Sequence, residues 1–382
     1  MVSSLNPGVL GPYLSLWLKN IGLGFSEIGL VQSVSELAQL LTDFPTGGVA
    51  DRYGRIKTYA LGSSLFGLGL LMVALSGGLI GALLGASLSG LGSALVSGTM
   101  VPWLYDSLKD RKAVKAILGR VKEISGPVRF AGGFLGGVLA NIAPNLPVLV
   151  AGALSILSGA MALILLSDNR GKAELNYSGI LRRGLAEVIG NRGLHLLLIS
   201  SFLLSFPARA FFTFWMLLMK ARGLPAKYLG PIFALMLLTT SMGARLSRRL
   251  DSTPKTLALL TVVLSLEILL LGLAPNVWTS LALLFAVEGT LGARGPLMAV
   301  LRNDFIPNEV RSTVNSTLST VGSAFMAIAN TAIGALAGNL GLELAYVLAG
   351  SLGLLSALPI WRLTFLSVPA EGGNITEKPD GG

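Results

Sequence analysis

The sequence contains no cysteine, which excludes disulfide bonds and thiolate metal sites. A single histidine, His195, excludes a centre built from several histidines. Charged residues are also scarce, at 13% of the 382 residues, while 52% are hydrophobic. Soluble domains carry about 25% charged residues, so the chain is predicted to be a membrane protein. It has no phosphate-binding loop, nucleophile elbow or metal-ligand cluster, and we expect no enzyme activity, metal or other cofactor.

Twelve segments approach the length of about 20 apolar residues that a spanning helix needs. They lie at 2–18, 27–50, 58–75, 79–105, 122–142, 147–167, 193–219, 226–247, 256–273, 277–301, 312–337 and 342–366. We therefore predict an all-α polytopic membrane protein with twelve transmembrane helices in two six-helix bundles. The predicted divisions are an N-terminal bundle, a linker, a C-terminal bundle and a tail, at 1–167, 168–192, 193–366 and 367–382.

The basic residues fall mainly on one side of the predicted membrane. Of the 29 Lys and Arg residues, 22 lie in the loops and tail of one side and four on the other, with Arg129, Arg209 and Arg294 inside spans. Cytoplasmic loops retain positive charge, so both termini, the linker and the tail are predicted to be cytoplasmic. This distribution accounts for the net charge of +10, and we expect no nucleic-acid partner.

The two halves carry a short internal repeat. After the first segment the sequence reads KNIGL from Lys19, and after the seventh it reads KARGL from Lys220. In each half another glycine follows at the same spacing, Gly29 in one and Gly230 in the other. Doubled six-helix halves are typical of secondary transporters, whose substrate site lies near the midplane between the halves. The first segment is short and begins at Met1, which is consistent with a natural start further upstream.

Residues 47–57 read GGVADRYGRIK and follow the run DFPT at 43–46. This stretch resembles the G-x-x-x-D-R-x-G-R signature between helices two and three of the major facilitator superfamily. The preceding acid-x-P-T-G run, with LYDSLK at 104–109, is similar to the multidrug-efflux-like subgroup. The resemblance covers the whole chain and implies the major facilitator fold. Two family motifs depart from their pattern: the helix-four arginine is absent, and the helix-five G-P-x-x-G-G run matches only loosely.

The resemblance implies a cytoplasmic latch that holds one conformation and releases in the other. The residues of this predicted gating motif are Gly47, Asp51, Arg52, Gly54, Arg55 and Asp106. In the family the motif's arginine contacts an acid at the end of helix four, which here pairs Arg55 with Asp106. The family also places Asp51 near a helix terminus of the opposite half. Glycine permits close helix approach and tight turns. The alternative interpretation is a positively charged loop with a turn glycine.

Ionisable side chains inside spans cost about 2.5–3.5 kcal/mol each at the bilayer centre, so they are candidates for substrate or proton coupling. These candidates are Glu36, Asp43, Arg129, Arg209, Glu288 and Arg294. Glu36 and Asp43 share one face of helix two, because seven residues make two turns. The depth of Arg129 allows a pair with Asp43, and Arg209 is a candidate for an anionic substrate group or for Glu36.

Other intramembrane charges are harder to assign from spacing alone. Glu288 and Arg294 are six residues apart and therefore do not share a helix face, which argues against a direct pair. Glu267 falls in the middle of helix nine, which the family places at the periphery, and the sequence offers no partner for it. The alternative for Glu36 and Asp43 is a structural role, with hydrogen bonds to neighbouring serines or arginines.

The leading functional hypothesis is a secondary active transporter that works by alternating access, with proton-coupled efflux of drug-like or amphipathic compounds. One alternative is an uptake permease for a metabolite such as an organic anion. An alternative of another class is a non-transporting scaffold or receptor on the same fold. The expected partners are a small-molecule substrate, a proton or other coupling ion, and the lipid bilayer. We expect a monomer in the cell membrane.

Overall fold

The computed structural model describes residues 2–11, 13–108, 110–170, 177–306 and 311–366. The helices up to residue 165 are α1 (Val2–Leu10), α2 (Tyr13–Asn20), α3 (Phe25–Tyr53), α4 (Arg55–Leu75), α5 (Leu79–Val96), α6 (Met100–Leu108), α7 (Arg111–Ile142) and α8 (Leu146–Leu165). The helices that follow are α9 (Tyr177–Gly190), α10 (Arg192–Ala221), α11 (Leu229–Leu246), α12 (Pro254–Leu273), α13 (Val277–Asp304), α14 (Arg311–Leu340), α15 (Leu342–Leu355) and α16 (Ala357–Arg362).

Each predicted span coincides with one helix or with two consecutive helices. Within the described ranges, nine helical stretches are long and apolar enough to cross a bilayer. The predicted spans outside this set are the first, second and fifth. The first is divided between α1 and α2, α3 carries several polar side chains, and α7 begins with a cluster of basic residues. The prediction of an all-α polytopic membrane protein is confirmed.

The chain divides into two compact units. The first unit comprises residues 1–177 together with 223–235, and the second comprises 178–222 and the residues from 236 onward. The predicted bundle boundaries stay a prediction. The predicted tail, 367–382, lies outside the described residues, as do residues 171–176 of the predicted linker.

Glycine contacts bring the helices of the first unit close together. A Cβ atom placed on Gly69 of α4 would lie 2.5 Å from the carbonyl oxygen of Gly85 on α5. A Cβ on Gly67 would collide with the carbonyl of Gly152 on α8. Small residues are the usual means of close packing between helices in lipid, where the hydrophobic effect between helices is weak. The glycine-rich composition of α4 and α5 therefore sets the distances within this unit.

Arg222 ties together several helices of the second unit. It caps α10, and its Nη1 donates to Ser280 Oγ at 2.6 Å while its Nη2 donates to the Gly272 carbonyl at 3.0 Å. These contacts join the end of α10 to the end of α12 and the start of α13. At the opposite end of α12, Leu257 belongs to a buried apolar cluster with Leu194 and Leu301.

The internal repeat has the same backbone conformation in both of its copies. Gly22 follows α2 with φ +92°, and Gly223 follows α10 with φ +87°. A positive φ in this range is accessible to glycine at little cost and unfavourable for other residues. The repeated glycine therefore marks equivalent turns after the first and seventh predicted spans.

Candidate functional site

The predicted partners Arg55 and Asp106 lie together in the first unit. Arg55 is the first residue of α4 and is 7% exposed, and its Nη1 donates to Oδ2 of Asp106 on α6. The Asp106 side chain is 51% exposed. A buried guanidinium is costly without a carboxylate partner, so this contact stabilises the start of α4 against α6. The use of this pair as a latch stays a prediction.

Gly54 forms the sharp junction between α3 and α4. Its φ is +112°, and its amide donates to the Ala50 carbonyl at 3.1 Å to close α3. Its own carbonyl accepts from the Thr58 amide at 3.0 Å, which opens α4. One residue thus ends one helix and begins the next, a geometry that requires the conformational freedom of glycine.

Asp168 and Asn169, which follow α8, hold this junction in place. Asp168 Oδ1 accepts from the Ile56 amide at 2.8 Å, and the Asn169 carbonyl accepts from the Arg55 amide at 3.0 Å. Gly54 has no side chain to cap α4, so Asp168 supplies the cap from a distant part of the chain. Neither residue belongs to a predicted motif. An Asp-Asn pair after a span is a capping signal, but the sequence does not say which helix it caps.

Asn169 also fastens α6, the helix that carries Asp106. Its Nδ2 donates to the Trp103 carbonyl at 3.0 Å and to Ser107 Oγ at 2.9 Å. Trp103 in turn donates from Nε1 to the Ser167 carbonyl at 2.9 Å. The residues after α8 therefore contact both α4, which carries Arg55, and α6, which carries Asp106. These contacts fix the distance between the two helices.

The remaining residues of the predicted gating motif lie at the end of α3. The backbone of Gly47 and Asp51 is helical, and the side chain of Asp51 lies outside the described part of the chain. Arg52 is exposed, and its guanidinium lies 5.5 Å from the centre of the Tyr53 ring. The roles of Gly47, Asp51 and Arg52 stay predictions.

The predicted acidic face of α3 packs against serines of the α5 region. Asp43 Oδ1 accepts from Ser97 Oγ at 2.9 Å, and Gln39 Oε1 accepts from Ser93 Oγ at 3.1 Å. The two acceptors are four residues apart on α3, and the two serine donors are four residues apart in the α5 region. The two contacts therefore lie one helical turn apart. Glu36 lies two turns before Asp43 and is partly exposed. Arg129 is exposed on α7, and its predicted pair with Asp43 stays a prediction.

In the second unit, Arg209 lies on a wall formed by α10 and α14. Its Nε donates to Met326 Sδ at 3.1 Å. Phe202 stands one to two turns earlier on α10, with its ring centre 5.4 Å from that of Phe206 and 5.0 Å from that of Phe325. This α10–α14 wall combines a cation with aromatic rings, which suits flat aromatic compounds that carry negative charge.

Glu288 and Arg294 face different neighbours of α13. Glu288 is 7% exposed and accepts from Thr240 Oγ1 of α11 at 2.6 Å. Arg294 is 9% exposed and donates from Nε to Thr261 Oγ1 of α12 at 2.9 Å. Among the described residues, no group of three or more His, Cys, Asp or Glu side chains is placed to hold a metal ion.

Comparison with known sequences places these features in a family context. Two overlapping stretches, residues 1–266 and 238–381, match the sequence model of the Major Facilitator Superfamily. The quinolone resistance protein NorA of Staphylococcus aureus is 26% identical over 164 residues, which are 43% of this chain and 42% of that protein. An uncharacterised major-facilitator-type transporter of Methanocaldococcus jannaschii is 25% identical over 199 residues, which are 49% of this chain and 50% of that protein. The matches thus span half or less of these relatives.

Solved structures extend the likeness over nearly the whole chain. The crystal structure of the nucleoside transporter NupG gives a TM-score of 0.76 at 13% identity, covering 95% of this chain and 97% of that one. A bacterial homologue of the human lysosomal transporter Spinster gives 0.76 at 14% identity, covering 95% and 94%. At such low identity the likeness shows the fold alone, and that fold is the one predicted from the sequence.

Proposed function

Because the chain belongs to the Major Facilitator Superfamily, we propose that it exports drug-like or amphipathic compounds from the cell by proton-coupled alternating access. In this proposal it acts as a monomer in the cell membrane with both termini in the cytoplasm, where the positive loops would lie. The similarity to a quinolone resistance protein supports the direction and the substrate class.

The observation that carries the proposal is the contact between buried Arg55 and half-exposed Asp106. A gate must hold in one state and open in the other at modest cost. Water solvates the Asp106 carboxylate once it is released, whereas Arg55 is buried, so opening costs more than the ~1 kcal/mol of a fully exposed ion pair. In this proposal, substrate or proton binding supplies that cost. Asp168 and Asn169 hold the start of α4 close to α6, so that Arg55 and Asp106 can pair again when the gate closes.

The charged side chains of each unit have a distinct chemical character. The first unit carries Asp43 and Glu36 on one face of α3, suited to a cationic group or a proton. The second unit carries the α10–α14 wall, suited to an aromatic ring and a carboxylate. A quinolone is the first probe to use, because this chain is similar to a quinolone resistance protein.

A second candidate function is uptake of an aromatic organic anion. The observation that favours it is the character of the α10–α14 wall, where a cation, Arg209, lies in the same region as Phe202 and Phe325. In this case the acids of α3 would serve proton coupling alone.

Transport into everted membrane vesicles tests the proposal. A fluorescent quinolone is expected to accumulate when a proton gradient is present, and a protonophore is expected to abolish the accumulation. Asp106→Ala should reduce the rate at least fivefold, while Asp110→Asn, at an exposed cap of α7, should leave it unchanged. Accumulation that survives collapse of the gradient would overturn proton coupling. Accumulation of an aromatic anion in right-side-out vesicles, without quinolone transport, would favour the second candidate.

A further inference from the structure

Helices α12 and α13 are joined by two polar contacts within the predicted membrane region. Thr290 Oγ1 of α13 donates to Glu267 Oε1 of α12 at 2.9 Å. Arg294 Nε of α13 donates to Thr261 Oγ1 of α12 at 2.9 Å. Thr261, Glu267, Thr290 and Arg294 form what we call the α12–α13 polar seam. It holds one acid and one base, each bonded to a threonine hydroxyl of the facing helix.

Both charged groups of the seam have an unused polar atom. Glu267 Oε2 and Arg294 Nη2 are buried, and neither has a hydrogen-bond partner within the described part of the chain. An ionised carboxylate is acceptor-only and calls for donors at both oxygens, whereas a carboxyl protonated on Oε2 is itself a donor there and accepts at Oε1. The single hydroxyl donor at Glu267 therefore fits the protonated form.

The surroundings of Glu267 also favour a neutral group. It stands on α12, which is long and apolar enough to cross a bilayer, between Leu266 and Leu270, which are 41% and 48% exposed. These leucines lie on the outer surface of the unit, where lipid would cover them. Removing a carboxylate from water without pairing it is strongly unfavourable, so the group takes up a proton instead.

The other helices that pack against α12 supply no closer charge. Their charged and titratable side chains are Glu288, Arg302 and Asp304 of α13, Glu343 and Tyr346 of α15, Arg362 of α16, and Arg192, His195, Arg209 and Lys220 of α10, with Arg222 at its cap. Tyr346 and Arg222 meet α12 at Gly272, about 7.5 Å along the helix from Glu267. Glu288 faces α11 and Arg209 contacts α14. Arg294 is therefore the cation that shares the seam with Glu267.

We propose that Glu267 is a proton-binding site whose ionised form pairs with Arg294. With the proton bound, the two threonine contacts are made as observed. When the proton leaves, the carboxylate has two acceptor oxygens, and the free Nη2 of Arg294 turns toward them. Thr290 and Arg294 are four residues apart on α13, which is about 6 Å and within reach of an arginine side chain. Proton release thus replaces the Thr261–Arg294 contact by an ion pair.

Such an exchange acts on α13, which is also held tightly by α11. A Cβ on Gly292 would collide with the Thr240 carbonyl, and Thr240 bonds Glu288. A change at the seam is therefore passed to α13 and to the Glu288 contact on its other side. This step rests on the proposed function, since in a proton-driven transporter the seam would couple proton movement to helix movement.

Infrared difference spectroscopy on the purified full chain in lipid tests the site without any substrate. The carbonyl-stretch band of a protonated carboxylic acid should disappear as pH rises, and Glu267→Gln should remove it. Glu343→Gln, at an exposed acid of the same unit, should leave the band unchanged. A band that persists unaltered in Glu267→Gln overturns the proposal.

The pairing with Arg294 has its own readout. Arg294→Gln removes the cation that stabilises the ionised form, so the midpoint of the band should rise by about one pH unit, a tenfold change in proton affinity. Thr261→Val frees Arg294 from its hydroxyl partner and should lower the midpoint, in a protein whose packing is nearly unchanged. Midpoints that do not move in either variant contradict the pairing.

A transport experiment distinguishes failure of this inference from failure of the proposed function. In proteoliposomes loaded with a fluorescent quinolone, Glu267→Gln should retain quinolone exchange and lose accumulation driven by a proton gradient. Accumulation that is unchanged in Glu267→Gln overturns the coupling role while leaving the proposed function in place. If the unaltered protein transports no quinolone, the proposed function fails, and the infrared titration still decides the proton site.

Discussion

Replacing Gly54 by alanine tests the junction between α3 and α4 most sharply. Gly54 has φ +112°, and a Cβ placed on it would lie 2.7 Å from Asp168 Cγ and still closer to its carboxylate oxygen. The backbone strain costs about 1–3 kcal/mol for a residue with a Cβ atom. In addition, Asp168 must move away from the Ile56 amide, and loss of such a helix cap costs about 1 kcal/mol. Gly54→Ala should therefore destabilise the protein by about 2–4 kcal/mol.

Gly341 provides a matched control because it occupies the same structural position without the neighbour. It precedes α15 as Gly54 precedes α4, with φ +89°, and the nearest atom to its added Cβ is Glu343 Oε2 at 3.7 Å. Gly341→Ala should incur the backbone strain alone. The two variants should differ by about 1 kcal/mol, the contribution of the Asp168 cap.

Reversible unfolding in mixed micelles, titrated with sodium dodecyl sulfate and followed by tryptophan fluorescence, measures these differences. The double variant Gly54→Ala/Asp168→Ala provides a second check, since Asp168→Ala removes both the cap and the collision. Its loss should be smaller than the sum of the two single losses. Equal losses for Gly54→Ala and Gly341→Ala, with additive behaviour in the double variant, would refute the reasoning.

Two further substitutions address the packing of the separate units. Arg222→Met removes two hydrogen bonds that join α10, α12 and α13, so it should lower the free energy of unfolding by about 2 kcal/mol in the same assay. The control Lys220→Met changes an exposed side chain nearby and should leave the free energy of unfolding almost unchanged. Gly69→Ala brings a Cβ to within 2.5 Å of the Gly85 carbonyl oxygen and should lower the free energy of unfolding by about 1–3 kcal/mol. The control Gly126→Ala has open space around the added Cβ, so it should leave stability unchanged or raise it slightly. A loss for Gly69→Ala no larger than that for Gly126→Ala would contradict the packing described for α4 and α5.

The order of the helices was predictable from the sequence because apolar length is a local property. The family resemblance implied a pair between Arg55 and Asp106, which the structure brings together, and the repeated glycines Gly22 and Gly223 have matching backbone angles. The break near Gly11, which divides the first span into α1 and α2, was not predicted, although the Gly-Pro dipeptide at 11–12 is a sequence signal for a helix boundary.

The partners of the buried polar groups could not be predicted, because they depend on which helix faces which. Asp168 lies 112 residues from the amide that it caps, and nothing near Ile56 in the sequence indicates it. Thr290 is one of many threonines in apolar segments, so its contact with Glu267 emerges only from the packing of α12 on α13. Sequence patterns identified the charged groups, whereas the fold determined which hydrogen-bond partner each of them has.

Proton movement in proteoliposomes that contain the purified protein tests the central claim most directly. A pH-sensitive dye inside the vesicles reports protons that cross the membrane when a quinolone is added outside. A coupled exporter should move protons opposite to the quinolone, and Asp106→Ala should slow both fluxes together. Quinolone movement without any proton flux, or proton flux that is independent of quinolone, would contradict the account.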